Sequence, residues 1–252
     1  MAKESTKKAV VLMSGGLDST TVVGLLLQRG FKVFPLSINY GQRHKAELES
    51  MKAIVKYYQD AKTSIEDVME LNLTDIAKIG GSALTDQKIA VPENKEIGKD
   101  IPITYVPGRN TIFLALALAY AEVKDCKVVG IGVNNLDYSG YPDCRPDYIQ
   151  AMIGVAKLSS KRAVEGRPIL IEAPLISMDK KTIIEVGMKC NPKVPYHLTW
   201  SCYNPKHKLT GGYEPCGKCD SCVLRAKGFR EAGHLDMALK EEKSQAPTST
   251  QA

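Results

Sequence analysis

An unbroken apolar run, Ala9-Val10-Val11-Leu12-Met13, is followed at once by a polar turn, Ser14-Gly15-Gly16. A short continuous apolar run closed by turn residues reads as a strand buried on both faces. Residues 18–28 then take up helical spacing. The same alternation recurs along the chain. A strand over 32–39 precedes a helix over 44–58, whose Leu48, Met51, Ile54, Val55 and Tyr58 fall on one helical face. Residues 64–71 read as a strand despite a charged middle, Glu66-Asp67. Glycines and prolines from 80 to 102 predict a loop of about 20 residues, a length that usually marks a functional or mobile segment. A helix over 110–123 is apolar on most faces and is expected to be buried. There follow a strand over 127–133, a helix over 146–164, a strand over 168–173 and a helix over 179–189. Residues 244–252 are rich in Ser, Thr, Gln, Ala and Pro and are expected to be disordered. There is no internal repeat.

Strands alternating with helices predict an α/β fold built on a doubly wound parallel sheet. We place this Rossmann-like domain at 1–190, a metal-binding and helical region at 191–243, and the tail at 244–252. Ligands of such sheets bind outside the carboxyl ends of the strands. Three polar segments follow strand ends: the turn after residue 13, Asn39-Tyr40-Gly41-Gln42-Arg43-His44, and the stretch from Asn134 to Tyr138.

Bulk composition narrows the partners. A hydrophobic content of 44% supports a full core. No apolar run reaches the ~18 residues that a membrane helix needs. The first residues lack the apolar stretch of a signal peptide. A soluble, cytoplasmic protein without a membrane partner is expected. The net charge of +6 comes from 34 basic and 28 acidic residues spread along the chain. That excess suits a small anionic substrate, and no interleaved aromatic and basic platform for stacking bases is present. No nucleic-acid partner is expected.

The turn after the first strand carries the chemistry. In Ser14-Gly15-Gly16-Leu17-Asp18-Ser19, the glycines let several N–H groups converge on one phosphate at a helix N-terminus. Ser14 and Ser19 add hydroxyls. No Lys follows the glycines, so this is not the loop that grips a transferring γ-phosphate. The motif resembles the pyrophosphate loop (PP-loop) of ATP pyrophosphatases, which cleave ATP between the α and β phosphates and activate a substrate oxygen as an adenylate. Asp18 suits the helix dipole and could hold a Mg²⁺ ion as well.

Of seven cysteines, four form a metal pattern. Cys216, Cys219 and Cys222 make two overlapping CxxC steps, with Cys202 fourteen residues upstream. Four thiolates suit tetrahedral, structural Zn²⁺. An iron–sulfur cluster would take the same donors. The segment 192–222 has few apolar residues, so the metal is expected to replace a missing core. Cys126 and Cys190 read as small buried hydrophobes, and an odd cysteine count argues against a disulfide framework.

Two further segments point to an organic substrate. In Val106-Pro107-Gly108-Arg109-Asn110, Asn110 is expected to cap the following helix. Arg109 would then sit at a helix N-terminus, a poor place for a cation unless it faces an anion. The stretch from Asp137 to Tyr148 holds Asp137, Asp143, Asp147, Tyr138, Tyr141, Tyr148 and Arg145. Carboxylates can pair with a guanine-like edge, tyrosines can stack on a flat heterocycle, and Arg145 can clamp a carboxylate.

The phosphate loop, the YGQRH and VPGRN segments, the NNLDYSGYPDCRPDY block and the WSC…CGKCDSC tail together resemble the 7-cyano-7-deazaguanine synthase family, in order, from residue 14 to residue 222. The resemblance implies an ATP-dependent carbon–nitrogen ligase of queuosine biosynthesis. Its substrates would be 7-carboxy-7-deazaguanine, ammonia and ATP, and its product the nitrile. Leu12, Met13, Ser14, Gly15, Gly16, Leu17, Asp18, Ser19, Thr20, Thr21 and Val22 are expected to hold ATP. Asp18, Arg109 and Arg145 are the expected catalytic residues. Arg109, Asn110, Asp137, Tyr138, Tyr141, Asp143 and Arg145 are expected to contact the acid. Cys202, Cys216, Cys219 and Cys222 are expected to bind structural Zn²⁺. The resemblance further implies a homodimer.

Overall fold

The computed structural model describes residues 7–42, 46–93, 100–136, 140–207 and 212–238. Five strands, β1 (Lys8–Leu12), β2 (Lys32–Asn39), β3 (Met69–Asn72), β4 (Val128–Gly130) and β5 (Leu170–Glu172), form one parallel sheet in the order β3-β2-β1-β4-β5. The helices are α1 (Leu17–Gln28), α2 (Ala46–Asp60), α3 (Arg109–Val123), α4 (Pro146–Ala156), α5 (Lys161–Val164), α6 (Lys180–Lys189) and α7 (Asp220–Glu231). A short hairpin, β6 (Lys206–His207) with β7 (Tyr213–Glu214), lies apart from the sheet.

The apolar run in β1 serves two cores at once. Side chains alternate across a strand, so Ala9 and Val11 join α1, α2, α6 and α7 on one face. Val10 and Leu12 join α3 and α4 on the other. All four are 0–8% exposed, which is why the sequence there shows no polar alternation. The chain leaves β1 towards β2 and β3, then returns to place β4 on the opposite side. The strand order therefore reverses between β1 and β4, and a crevice opens beyond their carboxyl ends.

Several elements differ from the sequence expectation, each for a local reason. The strand expected over 64–71 begins at Met69; before it, Ile65 makes a single bridge to Val33, and the charged Glu66-Asp67 step carries no ladder. The helix expected over 146–164 stops at Ala156. Ser160 then accepts the Ala163 N–H at 3.1 Å and caps the separate short α5, a side-chain bond that competes with helix continuation. The start of the helix expected at 44 lies outside the described residues, and α2 is described from Ala46. The segment 192–222 is less bare of core than its composition suggests. Val194 and Tyr196 are buried with Phe229 of α7 in the α1 core, and the Tyr196 hydroxyl donates to the Ile183 carbonyl at 2.9 Å.

Candidate active site

The loop between β1 and α1 is held open from three sides. Gly15 has φ +84°, and a Cβ there would stand 2.5 Å from the Glu47 carbonyl oxygen and 3.0 Å from the Met51 amide nitrogen. Both its left-handed backbone and its contact with α2 require glycine. The Gly15 carbonyl accepts from the Trp200 N–H at 2.9 Å and from Ser50 Oγ at 2.9 Å. Ser14 and Ser19 hydroxyls lie 3.2 Å apart. Thr20 Oγ1 donates to the Gly16 carbonyl at 2.8 Å, beside the helical bond from its own N–H. Beyond β4, a Cβ on Gly132 would stand 2.8 Å from the Ser19 amide nitrogen, so the β4 loop can close on the start of α1 only as glycine. We predict that Gly15→Ala costs about 1–2 kcal/mol in backbone strain alone. Calorimetry should read this as a Tm drop of roughly 5 °C, and ATP titration should find binding lost. An unchanged affinity would refute the close-contact account.

Asp18, in the first turn of α1, binds Lys180 Nζ through both carboxylate oxygens at 2.9 Å. Lys180 opens α6 and is 8% exposed. A buried cation at a helix N-terminus opposes the macrodipole, and here the compensating charge is Asp18 beside the phosphate loop. Sequence reasoning applied that argument to Arg109 and passed over Lys180, where the same signal was present: Asp179 is a recognisable N-cap and Lys180 follows it. Asn134, after β4, donates to the Leu175 and Met178 carbonyls and fixes the chain leading into α6.

Arg109, Asn110 and Tyr141 line the same cleft, together with Tyr40, Tyr203 and Glu47. The Arg109 guanidinium lies 5.7 Å over the Tyr40 ring and donates to its hydroxyl at 3.4 Å. Burial opposes its charge, but the phenols of Tyr40, Tyr141 and Tyr203 and the carboxylate of Asp143 outweigh that and raise its pKa further. Tyr141 hydrogen-bonds Thr104 at 2.7 Å, and burial raises its pKa. Cys144, beside Asn110, is a thiol pushed by burial to about 12, far from a nucleophile's range. Glu47, the second residue of α2, was not singled out in the sequence. Burial raises its carboxyl to about 7, with Arg109 pulling the other way.

Other expected residues lie elsewhere. Asn110 is not the cap of α3; Gly108 holds that position. The Asn110 N–H instead donates to Asp143 Oδ2 at 3.2 Å, and its side chain donates to the Asp143 carbonyl at 3.1 Å. Asp143 is thus tied to the start of α3 and does not line the cleft. Arg145 is placed outside the cleft as well. It lies in a shallow depression with Asp147, Tyr148 and Tyr105, 3.8 Å from Asp147 and half exposed. The short 3-10 turn over Pro142–Cys144 separates it from the cleft-lining Tyr141. Asp137 and Tyr138 fall outside the described residues.

The four cysteines converge. Their Sγ atoms all lie within 4.8 Å of one another and all four residues are buried. A tetrahedron with Zn–S bonds of ~2.3 Å would space its sulfurs about 3.8 Å apart, so the cluster fits a structural zinc. Backbone N–H groups of Cys216, Lys218 and Cys219 donate to the sulfurs at 3.2–3.4 Å, support that favours thiolate. Cys219 caps α7 and Cys222 sits in its first turn. Part of the segment expected as a loop over 80–102 packs here: Ala83 and Val91 join the cysteine cluster, and Glu93 pairs with Cys219.

A parallel sheet with a phosphate loop after its first strand, and a cleft at the strand-order reversal, defines a PP-loop nucleotide-binding enzyme. The chain belongs to the family described as queuosine biosynthesis protein QueC, whose family model matches residues 8–233. It is 49% identical over 230 residues to the 7-cyano-7-deazaguanine synthase of Acetivibrio thermocellus, covering 91% of this chain and 96% of that one. It is 52% identical over 235 residues to the synthase of Picrophilus torridus, covering 91% and 90%. A solved 4-thiouridine synthetase–RNA complex with bound ATP shares the fold at TM-score 0.50 and 16% identity, over 90% of this chain and 50% of that one. Among the described residues, no helix is long and apolar enough to cross a membrane.

Proposed function

We propose that this protein is an ATP-dependent ligase that converts 7-carboxy-7-deazaguanine and ammonia to 7-cyano-7-deazaguanine. The observation that carries the reading is one continuous cleft joining the phosphate loop to the Arg109–tyrosine end, in a chain of this family. A carboxylate resists ammonia because oxide is a poor leaving group. Attack of that carboxylate on the α phosphate releases pyrophosphate and makes AMP the leaving group. Ammonia then displaces AMP to give the amide. A second adenylation, on the amide oxygen, lets AMP leave again as the C≡N bond forms and the nitrogen loses its remaining protons. These steps need alignment and charge stabilisation more than acid strength.

The loop from Ser14 to Ser19 holds the pyrophosphate end of ATP, within the longer stretch Leu12 to Val22. Lys180 is placed to take a phosphate oxygen. Asp18, whose two carboxylate oxygens each bond Lys180 but keep further lone pairs, is the residue that would hold Mg²⁺, and the ion would neutralise the triphosphate when bound. Arg109 takes the acid's carboxylate and the tyrosines take its flat ring, whereas Arg145 is assigned no contact in the cleft. The reading includes a cytoplasmic homodimer acting on small molecules without nucleic acid.

The test is mass spectrometry of the purified protein with 7-carboxy-7-deazaguanine, ammonium and Mg-ATP, beside an Asp18→Ala control. Nitrile from the parent alone, with AMP released, is the expected result. AMP without nitrile would send the reading to another acid or an RNA substrate. Absence of both products would overturn it.

A further inference from the structure

Glu47 stands where the two ends of the cleft meet. Its backbone carbonyl packs against Gly15 of the phosphate loop, and its side chain lines the same cleft as Arg109 and Lys180. No hydrogen bond or ion pair to its carboxylate is formed among the described residues. A half-buried carboxylate without such a partner is costly to keep. Position in the first turn of α2 favours its charged form through the helix dipole.

We propose that Glu47 is a catalytic residue of the amination step, taking a proton from ammonium so that free ammonia forms beside the activated carboxyl carbon. The assignment rests on the ligase reading above. The carboxylate oxygen gains the proton, and the N–H electron pair stays on nitrogen. That pair forms the C–N bond as the C–O bond to AMP breaks, and the nitrogen sheds a second proton to solvent. Glu47 then returns its own proton to solvent before the second round.

The electrostatics suit the role. A carboxyl held near 7 by burial is matched to proton transfer at neutral pH. Among the described residues, the ionisable groups sharing its cleft are Arg109 of α3, the Asp18–Lys180 pair, Arg225 of α7, Cys144, and the phenols of Tyr40, Tyr141 and Tyr203. Of these, Arg109 acts on it directly, lowering its pKa against the larger effect of burial.

The experiment compares the parent with Glu47→Gln and Glu47→Asp in the full chain, with Mg-ATP and 7-carboxy-7-deazaguanine. Three readouts are taken: pyrophosphate exchange, amide formation from ammonium, and hydroxamate formation from hydroxylamine. Hydroxylamine nitrogen is already unprotonated at neutral pH and needs no base to free its lone pair. Glu47→Gln should leave pyrophosphate exchange at the parent level and lower kcat with ammonium by ~100-fold or more. Its rate with hydroxylamine should stay within a few-fold of the parent, and Glu47→Asp should recover part of the ammonium rate. Equal loss with both nucleophiles, or loss of pyrophosphate exchange, would make Glu47 a structural residue and overturn the proposal. So would an ammonium rate equal to the parent's. A parent inactive with all three readouts would instead overturn the ligase reading, and this assignment with it.

Discussion

Replacing Cys216 by Ser, or treating the protein with a chelator that strips the zinc the cluster fits, is expected to abolish ATP binding as well as unfold the cysteine region. The four buried sulfurs have little around them to hold them together otherwise: their cluster contains Ala83 and Val91, with Trp200 and Tyr203 packed at its edge. Structural zinc contributes ~10–16 kcal/mol of apparent binding energy in small zinc peptides, and that energy is folding energy for whatever surrounds the ligands. The loss travels along the backbone. Trp200 lies two residues before Cys202, its indole N–H donates to the Cys202 carbonyl at 2.9 Å, and its backbone N–H donates to the Gly15 carbonyl. Ser50 Oγ bridges the same Gly15 carbonyl and that of Leu198. A second brace is Arg225 of α7, buried with Asp236 and donating to Thr199 and Ser201. Loss of the metal is expected to loosen the Trp200 attachment first, because Trp200 is bonded directly to the Cys202 carbonyl. The measurement is zinc content by elemental analysis, ATP affinity by calorimetry and Tm in parallel. Full ATP affinity in a metal-free, partly unfolded protein would show that the phosphate loop stands without this brace.

Arg109→Ala is expected to lower kcat/KM for the acid substrate by ~100–1,000-fold, the scale of losing one preorganised charge at a reacting centre, with ATP affinity close to the parent's. Arg109 is a half-buried cation whose hydrogen bond among the described residues goes to a neutral hydroxyl, that of Tyr40. It lies at the N-terminus of α3, where the dipole opposes it. The Asp143 carboxylate and the phenols favour its charge electrostatically, while its hydrogen bond to a neutral hydroxyl leaves guanidinium donors available to an incoming anion. Arg109→Lys should not restore the rate, because an ammonium cannot reproduce a planar guanidinium seated over a tyrosine ring. Steady-state kinetics with varied acid, beside ATP titration, separates the two substrates. A parallel fall in ATP affinity would place Arg109 at the nucleotide instead. Arg145→Ala, made alongside, should leave both nearly unchanged, since Arg145 lies in the outer depression with Asp147.

Some of this was readable in the chain. Alternating apolar strands and amphipathic helices gave the parallel sheet, because strands buried on two faces and helices buried on one leave different periodicities. The phosphate loop and the four cysteines were legible for a related reason. Each is built from neighbours in sequence, so spacing alone nearly fixes geometry. Asp143, Arg145 and Tyr141 illustrate the limit. They lie within five residues of one another, yet Tyr141 lines the cleft, Asp143 is bonded to the start of α3 and Arg145 faces outward. A 3-10 turn over Pro142–Cys144 separates them, and composition does not reveal which way each side chain leaves such a turn.

Lys180 and Glu47 mark the same limit from the other side. Lys180 pairs with Asp18, 162 residues away, and Glu47 of α2 meets Arg109 of α3 across the cleft. Long-range pairing leaves no local pattern. The sequence by itself determined the alternation of strands and helices, the glycine turn after β1 and the four-cysteine pattern that fits a zinc, since those follow from residues close in the chain. Only the tertiary structure decided which charges meet in the cleft. The reversal of strand order between β1 and β4, with α6 and the Trp200 segment packed against α1, brings distant side chains together by burial of apolar faces, which carries no information about the polar residues beside them.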